Sequence, residues 1–234
     1  MTLGLRARGA GGSGQAARDA GRVAPGLRAR RLPSVDLDWL LFDADGVIQG
    51  VRDGWLEQLT AAGGDRGEEF VLAVFAAEMA CITGQDFEAA MDQVLRDFKI
   101  TAGLHEVIDP QYWIEVDPTM IGAVYGVRDL GLRCGLATNQ QNLRGAYMRG
   151  SLGFDEVFDA QFYSWELGVA KPDPAYFEAI IETIKVSPQR VLFLDDSEPN
   201  VDGARTAGLR AELFPRGGGL DALHPILERH GLSL

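Results

Sequence analysis

The sequence predicts an α/β protein, a three-layer core with a mainly parallel sheet and an inserted all-helical subdomain. Three observations carry that expectation. Short apolar runs end repeatedly in polar residues, as buried strands do where they stop at a functional edge. From residue 127 onward such runs alternate with helical patterns, the rhythm of a parallel sheet covered by helices on both faces. Between about Arg52 and Pro118 that rhythm stops and only helical periodicity remains.

The elements follow in order. Residues 1–34 are rich in Gly, Ala and Arg with few large apolar side chains, and are expected to be a disordered extension. Trp39–Asp43, WLLFD, reads as a short apolar strand running into a turn at Gly46. It opens the α/β core, assigned to residues 35–51 and 118–234 around a helical insert at 52–117. In the insert, Glu68–Cys81 is apolar over a broad face that includes Val71, Val74, Phe75 and Met79. A sharper pattern follows, with Phe87, Ala90, Met91, Val94, Leu95 and Phe98 on one helical stripe. No strand pattern is read between these helices. Trp55, Phe75, Tyr112 and Trp113 are assigned mostly to the core of the insert.

Beyond it, LRCGLAT (Leu132–Thr138) reads as a strand ending at Asn139, and EVFDAQF (Glu156–Phe162) as a weaker one. Phe177, Ile180, Ile181 and Ile184 place a helix over 174–185, with Pro174 suited to its first turn. RVLFL (Arg190–Leu194) is a strand ending at Asp195 and Asp196. Val201–Ala207 and Asp221–Arg229 read as shorter helices flanking AELF (Ala211–Phe214), with a glycine hinge at Gly217–Gly219.

A chain of 234 residues suffices for one well-buried domain carrying a smaller insert. Residues 1–34 hold seven arginines against Asp19, a net +6, so the overall −12 leaves −18 on the remainder. So acidic a body excludes nucleic acid and anionic membrane as partners, though a bound cation would still admit a small anion. No apolar run reaches the length of a membrane span, and the start lacks the apolar stretch of a secretory signal, so a cytoplasmic location is expected. The two cysteines, Cys81 and Cys134, have no CxxC spacing and are expected to be reduced and buried.

Four strand ends carry chemistry: Asp43 with Asp45, Thr138 with Asn139, Lys171 in GVAKPDP, and Asp195 with Asp196. Neighbouring carboxylates repel one another unless a cation sits among them, and a hard cation with oxygen ligands, Mg²⁺, meets that need. Lys171 adds a fixed positive charge and Thr138 a hydroxyl donor, which together describe a pocket for a transferring phosphoryl group. A calcium loop starting at Asp43 is discarded, because its twelfth position is Gly54 rather than Glu.

LFDADGV, LATN, KPDPAYF and VLFLDDSEPNVDGARTAG, in that order, resemble the four motifs of the haloacid dehalogenase superfamily. The likeness spans roughly residues 38–214 and is closest to phosphatase-like members with a small helical cap after the first motif. It implies a Rossmann-like core and Mg²⁺-dependent hydrolysis of a small phosphate monoester. By that resemblance Asp43 is the nucleophile and Asp45 the general acid and base. Asp43, the backbone carbonyl of Asp45 and Asp196 hold Mg²⁺, with Asp195 in support or as an outer ligand. Thr138 and Lys171 grip the phosphoryl oxygens, Asn139 helps to position them, and Gly46 turns the chain from sheet to cap. Asn200 is read as structural. The implied partner is a small phosphorylated metabolite, with the protein a monomer or weak homodimer. Phosphomutases and 2-haloacid dehalogenases share the core; the former need a donor–acceptor arrangement for which the cap offers only His105 and Lys99. The latter in general lack the second acid, here Asp45. A non-catalytic phosphate-binding or scaffold protein is the reading from another class.

Overall fold

The structure, a computed structural model, describes residues 30–31 and 36–234. Its first strands are β1 (Arg30–Arg31), β2 (Trp39–Phe42) and β3 (Gln49–Val51). The insert follows as α1 (Trp55–Ala62), α2 (Gly67–Cys81), α3 (Phe87–Phe98), α4 (Leu104–Ile108) and β4 (Ile114–Val116). The core resumes with α5 (Pro118–Asp129), β5 (Arg133–Thr138), α6 (Asn142–Gly150), α7 (Phe154–Val157), β6 (Ala160–Tyr163) and α8 (Ser164–Leu167). It closes with α9 (Pro174–Ile184), β7 (Val191–Asp195), α10 (Glu198–Thr206), β8 (Arg210–Leu213), α11 (Gly219–Arg229) and β9 (Leu232–Ser233).

The central sheet has the order β6-β5-β2-β7-β8, and every neighbouring pair is parallel. Strand β2 lies in the middle, with Trp39 opposite both Arg133 and Val191. Its residues alternate between two buried layers. Leu40 and Phe42 join the core under α5, α6 and α11, while Trp39 and Leu41 join the one under α9 and α10. The chain leaves β2 toward β5 and β6, then returns to the other side at β7. The strand order therefore reverses between β2 and β7, which is where open α/β sheets place their ligands. Asp43 and Asp195 stand on either side of that point.

Most elements lie where the sequence places them. Phe177 and Ile180 are buried and Ile181 and Ile184 partly so, with Asp173 capping α9 by accepting from the Ala175 N–H. Phe87, Met91 and Leu95 are buried in the cap core with Val71 and Val74, but Met79 is 64% exposed, off the packed face. Both cysteines are buried and free.

The differences have local causes. The weak strand at Glu156–Phe162 is instead the helical turn α7 followed by β6, because Gly153 at φ 75° turns the chain and Phe154 and Val157 are both buried. Strands β3 and β4 pair antiparallel at the root of the insert, Gln49 opposite Val116 and Val51 opposite Ile114. Three residues each are too few to show a period of two. Helices α5 and α6 have no counterpart in the sequence reading: α5 carries two glycines, and the stretch NLRGAYMRG of α6 is largely polar. Of the N-terminal extension only Arg30–Arg31 fall within the described residues, and they pair with Leu232–Ser233.

Candidate active site

The site grows from the ends of the three central strands. Leaving β2, Asp43 donates its N–H to the Leu194 carbonyl, which ties the residue to β7 (2.9 Å). The carbonyl of Ala44 then accepts from Val47, Ile48 and Gln49, winding the chain tightly around Gly46. Gly46 sits at φ 93°, and a Cβ there would lie 2.2 Å from Oδ2 of Asp196. Only glycine lets that carboxylate approach the turn.

Lys171 reaches in from the loop before α9 and is 5% exposed. Its ammonium donates to Asp43 Oδ1 at 2.7 Å, Asp195 Oδ2 at 2.7 Å and the Ala137 carbonyl at 2.9 Å, so all three protons are placed. Burial opposes the charge on Lys171, but the two aspartates outweigh it and hold the amine above its usual range. Asp43 responds the other way. Burial is the main cause and the Asp195 charge adds to it; against the pull of Lys171 they raise its carboxyl to about 7.

Ligand oxygens of Asp43, Asp195 and Asp196 lie within 4.8 Å of one another. One lysine cannot neutralise three clustered carboxylates, so the donor set suits a hard divalent cation. The aspartates are not equivalent. Asp195, fully buried, already accepts from Lys171, the Ser197 N–H and both contacts of the Asn200 amide. Asp196 meets one cation, the Arg216 guanidinium at 2.7 Å, on a side chain that is 74% exposed. Burial raises its carboxyl against the pull of Arg216.

Thr138, at the end of β5, is buried, and its hydroxyl accepts from the Gln140 amide at 3.2 Å. The Asn139 side chain is committed to the backbone of Lys171: Oδ1 accepts from its N–H and Nδ2 donates to its carbonyl. Its action on any ligand therefore passes through Lys171.

Sequence reasoning missed what holds Asp45. Arg144 grips that carboxylate with both ends of its fork, Nη1 to Oδ2 at 2.7 Å and Nη2 to Oδ1 at 2.8 Å, while Gln140 and Gln49 donate their amides to it. Burial alone would raise Asp45, but Arg144 overrides it and holds the carboxyl well below the usual carboxylate range. A signal was present. Arg144 and Met148 share the buried stripe of α6, and a cation on a buried stripe calls for a buried counter-charge.

Above these residues a cavity of about 260 Å³ separates core from cap, lined by Asp45, Gly46, Arg144 and Arg216 below and by Trp55, Phe75 and Glu78 above. Trp55 and Phe75 lie against each other at 5.9 Å and pack on the cap core as well. Burial raises Glu78, Arg144 opposes it and Asp45 reinforces it. Tyr112 packs on the cap core, the half-buried Trp113 donates to the exposed Asp109, and His105 is exposed.

The geometry has counterparts among known proteins. The chain is 38% identical over 97 residues to a phosphatase from Mycobacterium tuberculosis, covering 41% of this chain and 45% of that one. It is 34% identical over 128 residues to a phosphoglycolate phosphatase from Cereibacter sphaeroides, covering 55% and 57%. The matched region thus spans about half the length of these curated relatives. The fold matches that of a HAD family enzyme from Bacteroides thetaiotaomicron, solved in complex with magnesium and inorganic phosphate. The TM-score is 0.70 at 18% identity, over 80% of this chain and 98% of that one. The family model of the haloacid dehalogenase-like hydrolases matches residues 37–208, with all four strand-end motifs inside it, and the chain belongs to that family.

Proposed function

We propose that the protein hydrolyses a small phosphate monoester through a phosphoryl-aspartate on Asp43. The observation that carries this reading is the Lys171 ammonium bridging Asp43 and Asp195 beside the third carboxylate of Asp196. A nucleophile is thereby held next to fixed positive charge, in a cluster of three carboxylates that Lys171 and the exposed Arg216 do not neutralise. Asp43, Asp196 and the Asp45 carbonyl would hold Mg²⁺, with Asp195 in support. The ion supplies charge stabilisation for the phosphoryl oxygens.

In the first half-reaction a carboxylate oxygen of Asp43 forms a bond to phosphorus as the ester P–O bond breaks. The electron pair leaves on the ester oxygen, which takes a proton from Asp45. In the second, water attacks phosphorus, the acyl-phosphate bond breaks back to the Asp43 carboxylate, and Asp45 accepts the proton of the water. Thr138 holds one phosphoryl oxygen and Lys171 another by exchanging one of its three present acceptors for the phosphoryl group, and Asn139 fixes the loop that presents Lys171. The Arg144 grip keeps Asp45 ionised, the form needed to activate water; the proton of the acid step enters on the phosphate monoester monoanion and passes through Asp45 to the ester oxygen. A clamped second acid also favours phosphoryl over haloacid chemistry, to which such a group contributes nothing.

The cavity suits a compact leaving group, so the partner is a small phosphorylated metabolite rather than nucleic acid. No helix among the described residues is long and apolar enough to cross a membrane, and we place the protein in the cytoplasm as a monomer or weak homodimer. Turnover of an aryl phosphate with and without Mg²⁺ tests the reading. Release of phosphate that needs the metal and is lost in Asp43→Asn supports it. Binding of phosphate without turnover would make the protein a scaffold instead.

A further inference from the structure

Arg144 does more than neutralise a neighbour. It is 7% exposed, and four of its five N–H directions have acceptors on three different segments. Two go to Asp45, one to Gln140 Oε1 at 2.7 Å on the loop after β5, and Nε donates to the Gln111 carbonyl at 3.1 Å. Gln111 belongs to the cap. One planar group therefore touches the Asp45 carboxylate on one edge and the cap backbone on another.

The contact is part of a docking seam along the start of α6. Asn142 Oδ1 accepts from the Phe87 N–H of the cap at 3.0 Å, and Gln141 Nε2 donates to Gln111 Oε1 at 3.1 Å. Leu143 packs on the cap core, and the rings of Tyr147 and Tyr112 lie 4.9 Å apart. When the cap is seated, the guanidinium plane is fixed from both sides. If the cap lifts, Nε loses its acceptor, and a buried donor without one is costly enough to pull the group round or admit water.

We infer that Arg144 is a positioning residue that makes the alignment of the Asp45 carboxylate depend on the cap being seated on α6. A bidentate fork sets the plane of a carboxylate as well as its distance, so a reoriented guanidinium turns Asp45 out of line with the ester oxygen. Lysine cannot substitute, because a point charge fixes distance and not plane. Proton transfer is thereby confined to the state in which the cavity is covered. The inference rests on the phosphatase reading for its kinetic consequence, but not for the mechanical link between cap and Asp45.

Arg144→Lys and Asn142→Ala test it in the full-length protein with Mg²⁺. The first keeps the charge and loses the fork; the second loosens the cap and leaves Arg144 intact. Each is assayed on phenyl phosphate, whose leaving group needs a proton, and on 4-nitrophenyl phosphate, whose leaving group departs without one. Arg144→Lys should lower kcat/KM, which reads the first half-reaction, about 100-fold on the phenyl ester and about tenfold or less on the nitrophenyl ester, while kcat falls on both because Asp45 also serves the shared hydrolysis. Asn142→Ala should show the same asymmetry at a few-fold scale. Amide hydrogen exchange supplies a readout independent of turnover: in Asn142→Ala the amides of 109–112 and of 44–49 should accelerate together. Equal losses of kcat/KM on the two esters would overturn the inference, as would faster exchange at 109–112 with none at 44–49. If the wild type turns over neither ester, the phosphatase reading fails, and the exchange result alone decides the link.

Discussion

Replacing Asp43 by Asn should destroy the enzyme and stabilise the metal-free fold. The folded carboxyl titrates at about 7 against an ordinary value of 3.8, because burial and the Asp195 charge outweigh the attraction of Lys171. Between those values the folded state binds one proton more than the unfolded chain, so stability falls as pH rises from about 4 to about 7. At ~1.4 kcal/mol per tenfold change in proton affinity, the ionised carboxylate at pH 8 costs on the order of a few kcal/mol. Asn removes that charge yet offers Lys171 an acceptor oxygen in place of Asp43 Oδ1. At ~2–4 °C per kcal/mol for a domain of this size, Asp43→Asn should melt on the order of 10 °C above wild type at pH 8 in a chelator, with the gap closing toward pH 4. Saturating Mg²⁺ should reverse the order, since the ion binds the folded wild type more tightly than the folded variant, which keeps the other proposed ligands, and so raises the wild type's stability more. Calorimetric melts of both proteins at pH 4, 6 and 8, with and without Mg²⁺, measure all of this. A variant less stable than wild type at pH 8 without metal, or a wild type indifferent to pH across the window, would refute the reasoning.

With the proposed metal contact of Asp45 at its backbone carbonyl, Asp45→Asn should bind Mg²⁺ nearly as wild type does and lose on the order of 10²–10⁴ in turnover. With a nitrophenyl ester the first step should outlast the second, so that phosphoenzyme accumulates on Asp43; mass spectrometry of quenched protein showing no label there would count against a covalent intermediate. Gly46→Ala forces a side chain to 2.2 Å from Asp196 Oδ2 at a φ of 93° and should weaken Mg²⁺ binding severely, as titration calorimetry would measure, while the circular dichroism spectrum stays that of the wild type. Gly203→Ala would set a Cβ 2.0 Å from the Pro172 carbonyl, so α10 must back away from the loop that carries Lys171. We expect a loss of about 1–3 kcal/mol in chemical denaturation and a fall in activity beyond what unfolding explains; an unchanged kcat would show that the Lys171 loop tolerates the shift.

The parts of the fold and site that could be read from sequence are those in which one residue type does one thing. Buried parallel strands are short apolar runs, so β2, β5, β7 and β8 were legible within a residue or two, and the acids and the lysine at their ends announced a charged centre. Helix α3 was legible because its six apolar positions form one stripe, whereas α5 is punctuated by Gly122 and Gly126 and gives no such contrast. The residues that organise the site were harder to see. Asn200, read as structural, holds Asp195 from five residues on, whereas Gln140 reaches Asp45 across ninety-five positions and nothing in its local sequence marks it. Asn139 was legible as a site residue, but its attachment to the Lys171 backbone needs the two loops to be brought together in space. Arg144 lies six residues beyond Thr138, and its partner Asp45 precedes it by ninety-nine.

The seam along α6 also changes what counts as a transplantable module. A cap defined by its covalent boundaries would be exchanged between relatives as residues 52–117, cut at the β3–β4 ribbon. Its non-covalent boundary runs through Gln141, Asn142, Leu143, Arg144 and Tyr147, all of them on the core side of the cut. A foreign cap grafted at the ribbon alone would meet an arginine with no carbonyl to receive it and an asparagine with no amide to cap. Chimaeras that recombine specificity in this architecture have to carry the first two turns of α6 along with the cap, as one inherited unit in two pieces.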